Sequence, residues 1–379
     1  MKVTYQRLVI GEQSLLRFCL LLFLVLFCSE LGWAGKLESS KKKEIIKSFN
    51  VGKNDILQVD NRFGNITVAH WNKNEVFIRV LIEVKVRNEE KVQAIMDCIN
   101  IRMEKTGNTV SAVTNLRSQN GNNGGKQSFT INYYVNMPSD LTCDMTQKFG
   151  NIVMPEMNNG KCNLHVKYGN LNGGNFTGAL NIGIQYGNMV ISDVDNATLE
   201  LAYCNKSSIR NASQLNIDSK YSDLTLGNVC KMNVESKYGD VRINKLDDGY
   251  MELKYGNCKI GELKHSIRVE ELSYSTLTIK ELAAKFDEVN VDAKFSDLNI
   301  YIDKNASFRV VANDMKYGSC KIQGGFNIQH RKHAESLGGF DSSKYQKEKD
   351  NYTLDVNNGK NGCINFNGND YSDINVIAQ

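Results

Sequence analysis

The sequence predicts a mainly β chain wound as a single parallel β-solenoid, and three observations carry that prediction. The heptapeptide KYGDVRI, starting at Lys237, recurs as KYSDLTL from Lys220, KYGNCKI from Lys254, KFSDLNI from Lys294 and KYGSCKI from Lys316, with weaker copies from Lys148, Lys167, Gln185 and Ser273. Its aromatic residue returns every 17 to 22 residues from Phe149 to Tyr317. That period belongs to stacked repeats, none of which can bury its apolar face alone. Apolar residues also alternate on both sides of the aromatic: Met251 and Leu253 before Tyr255, and Val241 and Ile243 after Tyr238. Such alternation marks strands with one buried face.

Within one repeat the aromatic, two residues beyond an inward position, is read as inward, which leaves the preceding lysine pointing out. Parity changes between the aromatic and the third residue after it, so a corner is expected there. Gly or Ser followed by Asn or Asp occupies the corner, and these residues tolerate positive φ and bond their own backbone. Each coil then holds two or three short strands, stacked in parallel at about 4.8 Å. Parallel connections favour a right-handed coil. A leucine-rich repeat of similar length would need a Leu-rich consensus and a helical segment, and the sequence has neither. At Tyr203 the pattern breaks, with Lys206 and Ser208 on apolar positions, and a bulge or opened coil is expected.

Taken in order, the chain starts with basic Lys2, Arg7 and Arg17, an apolar run from Phe18 to Cys28, and Gly32-Trp33-Ala34. This reads as a signal peptide over 1–34, its apolar run too short to span a bilayer as a helix. Phe27 before Cys28 suits lipidation poorly, which makes a lipoprotein the minor reading. Residues 35–140 are expected to form a small α+β N-terminal cap, needed because an uncovered solenoid end is an unpaired sheet edge. They contain an early motif copy at Phe63–Val68, a long alternating strand from Val76 to Val86, and a helix with N-cap Asn88 and stripe Val92, Ile95, Met96 and Ile99. Solenoid repeats fill 141–326. A polar loop and a closing C-terminal coil with the last copy, YSDINV from Tyr371, occupy 327–379.

Removing 1–34 takes the net charge from +4 to +3, since three basic and two acidic residues leave. So mild a balance argues against nucleic acid as the partner. Eight cysteines remain after that cut. Cys258 and Cys320 fall three coils apart, roughly 14 Å, too far to bridge. Cys143 and Cys162 occupy one position of consecutive coils and are the one pair that can touch. Buried thiols acting as small apolar residues are expected. The remaining chain has no second apolar run, so no transmembrane segment is expected in the mature protein.

The motifs FGNITV, the turn Trp71-Asn72-Lys73-Asn74, EVFIRV, the step Met137-Pro138-Ser139-Asp140-Leu141 into KYGN and KYSD coils, and the terminal YSDINV resemble the putative-adhesin family. These are exported β-solenoid proteins of Bacteroidetes and other bacteria. The resemblance covers most of the mature chain and implies a non-catalytic adhesive role at the periplasm or outer surface of a Gram-negative cell. The polar insertion after Ile322 departs from the family pattern.

Two constellations could carry function. Asp223 and Asp240 share the second position after the aromatic on successive coils, roughly 5 Å apart, near the separation in retaining glycosidases. The same column holds Asn151, Asn170, Asn188, Asn205 and Asn257, so a turn- or ladder-forming side chain is the plainer reading. The column before the aromatic holds Lys148, Lys167, Lys220, Lys237, Lys254, Lys294 and Lys316. Outward ammonium groups in a stripe could attract an anionic glycan, or simply discourage lateral pairing. His330 and His333 lack zinc-site spacing, there are no calcium nonapeptides, and no cofactor is expected. Seven N-x-S/T sequons, Asn196-Ala197-Thr198 among them, matter only in a eukaryotic secretory pathway. The expected function is a non-enzymatic, adhesin-like protein presenting its repeats to an anionic glycan or cell-surface protein. A polysaccharide-cleaving enzyme and a structural envelope spacer are the alternatives.

Overall fold

The computed structural model describes residues 39–86, 88–117, 128–315, 317–330 and 351–379. The expected signal peptide, Lys316, His333 and most of the polar stretch after Asn327 lie outside the described residues. Strands dominate, and the helix Glu89–Cys98 is the only one among the described residues. It is neither long nor apolar enough to cross a membrane.

Most strands belong to one long, mostly parallel sheet in which each repeat lies on the one before. Leu224 pairs with Val241, Val241 with Cys258, Cys258 with Leu277, and Leu277 with Leu298. Short strands were expected, yet Ser207–Lys220, Leu224–Lys237 and Val241–Lys254 each run 14 residues without a break. Each corner stacks on a like corner in register, so the hydrogen-bond ladder continues around it. Leu224, Leu226, Val229, Met232, Val234 and Ser236 of one repeat are buried. The neighbours Gly227–Asn228, Cys230–Lys231 and Lys237–Tyr238 are not, and each pair resets the inward alternation. Strand side chains alternate strictly, so each reset is a corner that keeps one face inward.

The corner at the motif differs from expectation. Positive φ falls on the aromatic itself, between 50° and 64° at Phe63, Phe149, Tyr238 and the other ladder residues. That left-handed residue makes the lysine and the aromatic both point outward, so Tyr238 stays 47% exposed instead of inward. Its ring stacks on those of Tyr221 and Tyr255 with centroids 4.8 and 4.9 Å away. An L-residue held left-handed costs about 1–3 kcal/mol, and two stacked neighbours at about 0.5–1.5 kcal/mol each offset it. The next residue lies against the previous rung. A Cβ on Gly239 would sit 2.0 Å from the carbonyl oxygen of Ser222. Where serine fills this slot, its hydroxyl bonds the backbone: Ser222 Oγ donates to Lys220 O at 2.8 Å and accepts from Cys204 N at 3.0 Å.

At Tyr203 the break is a one-residue insertion confined to the turn. Cys204 takes the Gly/Ser slot, Asn205 and Lys206 loop out, and pairing resumes with Ser207 opposite Leu224 and Ile209 opposite Leu226. The backbone N–H groups of Asn205 and Lys206 both donate to Asn188 Oδ1, at 2.9 and 2.8 Å.

The early copy is the rung next to Phe149: Ile56–Arg62 and Ile66–His70 pair in parallel with Thr142–Lys148 and Ile152–Val153. Beyond it, Thr109–Leu116 and Phe129–Met137 still run parallel to that rung. Their outer partners Ile99–Thr106 and Glu75–Val86 run antiparallel, and Ser39–Asn50 continues the antiparallel edge. Asn88 Oδ1 caps the helix by accepting from Glu90 N, and the helix buries Val92 and Met96. A buried polar network marks the junction. Asn61 donates to Ile131 O and Gln147 Oε1, Gln147 donates to Gly64 O, and Thr114 bonds both Asn61 and Tyr133.

The last motif copy does not close the stack. Cys363–Asn369 lies between Glu288–Lys294 and Phe308–Asn313, and Asp373–Ala378 lies between Asp297–Ile302 and Cys320–Gln323. Ring order follows the same path, from Phe295 to Tyr371 to Tyr317. The segment after Asn351 thus returns between two rungs already formed, and Tyr352–Val356 pairs antiparallel on the far side.

Candidate functional site: the flank beside the aromatic ladder

Three outward columns run along one flank. The aromatic ladder is continuous from Phe63 through Phe295 to Tyr317. Next to it the lysine column reads, in register, Lys148, Lys167, Gln185, Ala202, Lys220, Lys237, Lys254, Ser273 and Lys294. Two residues earlier in each repeat stand Thr146, His165, Gly183, Glu200, Asp218, Glu235, Glu252 and Glu271. Outward Asp and Glu near the lysines were legible in the sequence; that they form a registered column was not singled out, although an acid stands three residues before each of Tyr203, Tyr221, Tyr238 and Tyr255.

The acids neutralise the middle of the lysine stripe. Lys220 pairs with Asp218 at 3.3 Å, Lys237 with Glu235 at 2.6 Å, and Lys254 with Glu271 at 2.5 Å. Hydrogen bonds from Lys237 and Lys254 hold the Glu235 and Glu271 carboxyls below their usual range, and Glu235 raises Lys237 in turn. Lys167 and Lys294 instead lie over the rings of Tyr168 and Phe295, 5.5 and 5.9 Å from the centroids, within cation–π reach.

Both charged columns fall to small side chains at Gly183 and Ala202, and there a groove of about 410 Å³ opens. Lys148, Lys167 and His165 line one end, while Glu200, Asp218 and Lys220 line the other. His165 leans across the bare backbone, its Nδ1 lying 2.6 Å from where a Cβ on Gly183 would stand. Among the described residues Lys148, Lys167 and Glu200 form no ion pair.

Asp223 and Asp240 belong to a ladder of backbone acceptors. Asn151 Oδ1 accepts from Asn170 N, Asn170 Oδ1 from Asn188 N, Asp223 Oδ1 from Asp240 N, and Asp240 Oδ1 from Asn257 N, at 2.8 to 3.0 Å. The second oxygen of Asp240 takes a bond from Arg242 Nη2 at 2.8 Å. Each side chain satisfies the amide one rung along, which explains why Asn and Asp interchange there.

Among the described residues Cys143, Cys162, Cys204, Cys230, Cys258, Cys320 and Cys363 are free thiols. Cys143 and Cys162 face each other in register. They are buried, as are Cys204 and Cys258, whereas Cys230 is exposed and Cys98, Cys320 and Cys363 are half-buried. Contact with Cys162 and burial push the Cys143 thiol up, and burial pushes Cys258 up to about 12. His330 ends a short strand, Ile328–His330. Among the described residues no three His, Cys, Asp or Glu side chains gather as a metal set.

No family model and no curated protein matches the chain. Solved structures similar to it include one described as a putative adhesin from Parabacteroides distasonis, at 11% identity and TM-score 0.34, covering 68% of this chain and 94% of that one. A putative lipid binding protein from the same organism has 9% identity, TM-score 0.32 and coverage of 68% and 94%. A putative cell adhesion protein from Clostridium sporogenes has 10% identity, TM-score 0.20 and coverage of 89% and 100%. Likeness at this level assigns this chain no ligand and no role.

Proposed function

We propose that the chain is a non-enzymatic, adhesin-like protein: an exported β-solenoid rod, closed at its N-terminal end by residues 39–137, whose flank meets a glycan or a cell-surface protein. The observation that carries this reading is the registered lattice of polar columns, in which the same outward side chains recur one rung apart. Weak contacts at fixed spacing add up through effective concentration, and a rigid stack holds them in line. The use of Asp223 and Asp240 as ladder acceptors supports a binding role over a cleaving one. The N-terminal sequence pattern and the family resemblance support export.

A glycan array probed at two salt concentrations tests this, with the Lys220→Gln, Lys237→Gln and Lys254→Gln triple variant beside the wild type. Binding by the wild type is expected, with only a small loss in the triple variant because those ammonium groups are already paired. No binding to any glycan or cell surface would leave a structural spacer. Reducing-sugar release abolished by Asp240→Asn would replace the reading with an enzyme.

A further inference from the structure

The geometry points to the groove at Gly183 and Ala202 as a site for an acidic oligosaccharide with a single carboxylate, a uronate-type sugar beside neutral ones. This rests on the proposed ligand-presenting role and names its ligand. At the far end of the groove Lys220, and beyond it Lys237 and Lys254, each have a carboxylate partner. At the groove the partner column supplies Thr146, His165 and Gly183, and the acid of that column nearest to Lys148 is Asp60, one rung before Thr146. Among the described residues Lys148 forms no ion pair with it, and Lys167 is likewise left without a carboxylate partner. The two lysines stand one rung apart, about 4.8 Å, a span one carboxylate can bridge. At the other end the neighbour of Glu200 is Ala202, so its carboxylate is left to accept from hydroxyls.

This polarity orients the occupant and limits its charge. An anion rests between Lys148 and Lys167, while a second one further along would meet Glu200, Asp218 and the acids stacked beyond them. A polyanion is therefore repelled where a monocarboxylate is not. The floor is closed to an acyl chain, because Val166, Ile184 and Leu201 are buried between rungs. A volume of about 410 Å³ is in the range of small-ligand sites and takes a disaccharide.

Titration calorimetry with an aldobiouronic acid, its carboxyl-reduced neutral form and a heparin tetrasaccharide tests the assignment. The acid is expected to bind the wild type at least tenfold tighter than either other probe, and more weakly as salt rises. Lys167→Gln removes one ammonium, and Ala202→Lys fills the groove and pairs Glu200. Each should weaken binding tenfold or more, while Lys237→Gln, outside the groove, should change it less than twofold. Lys167→Gln alters only a surface side chain and decides the matter if Ala202→Lys fails to fold. Equal binding of the neutral form, an equal loss in Lys237→Gln, or no binding of the acid overturns the assignment. Array binding that survives both groove variants would overturn the groove and keep the ligand-presenting role. No array binding at all would remove both.

Discussion

At the scale of the residue, the aromatic of each repeat does two opposed things. Its left-handed backbone is strained, and its ring relieves that strain by stacking on two others. Substitutions at Tyr238 separate the two effects. Tyr238→Phe keeps the ring and should change stability by less than about 0.5 kcal/mol. Tyr238→Asn tolerates φ near 59° but loses both stacks, for about 1–3 kcal/mol. Tyr238→Val loses the stacks and adds a β-branched side chain where positive φ is most strained, so it should unfold first. Thermal unfolding followed by circular dichroism gives the order, and Val as stable as Asn would contradict it. The outward aromatic was not legible in advance. Tyrosine two residues beyond an inward position reads as inward, and only the backbone angle reverses it.

At the scale of the element, registers are fixed by side-chain bonds as much as by hydrophobic pattern. The columns around Val241 and Ile243, the strand Glu75–Val86 and the helix after Asn88 were legible because period and caps are local signals. The insertion at Cys204 was legible as a break but not as a single extra residue, since pairing across rungs decides where the frame resumes. The groove went unread because its signal is a shortfall, Gly183 and Ala202 in columns that elsewhere carry charge. Junction register depends on Gln147, whose amide donates to Gly64 O and Lys148 O. Lys148 O keeps its bond from Phe63 N, but Gln147→Leu strands Gly64 O and one hydrogen of the Asn61 amide, and should cost about 2–3 kcal/mol. Adding Asn61→Leu should cost less than the sum of the two single changes, because both partners then leave together. Denaturation midpoints of the three variants measure this, and strict additivity would remove the network.

At the scale of the whole molecule, its ion pairs make stability depend on acid. Glu83, Glu235 and Glu271 are held below their ordinary value of 4.5 by lysine partners, and Asp193 below 3.8 by Arg210. A carboxyl depressed in the folded state stabilises it above the unfolded value, and the contribution is lost as pH falls through the folded one. The melting temperature should therefore stay level between pH 7 and about 5.5 and fall below about 4.5, more steeply at low salt. Glu235→Gln with Glu271→Gln should flatten that acid limb. An unchanged limb would place the acid sensitivity elsewhere.

The threaded C-terminal segment sets an order on how the molecule comes into being. Most rungs need only the residues one repeat behind them, so the stack can grow as the chain lengthens. The rungs at Phe295 and Tyr317 are different: Ser296 bonds Ser372 and Asn299 bonds Asn375, each 76 residues away. Contacts so distant in sequence form late, because the loop must close before they contribute. Until the threaded segment arrives, Glu288–Lys294 and Asp297–Ile302 on one side and Phe308–Asn313 and Cys320–Gln323 on the other have no strand between them, and each side presents an open edge. The threaded segment is thus the keystone of that end, and a chain lacking Cys363–Asn369 and Asp373–Ala378 would be left with two half-built faces able to pair with a neighbour.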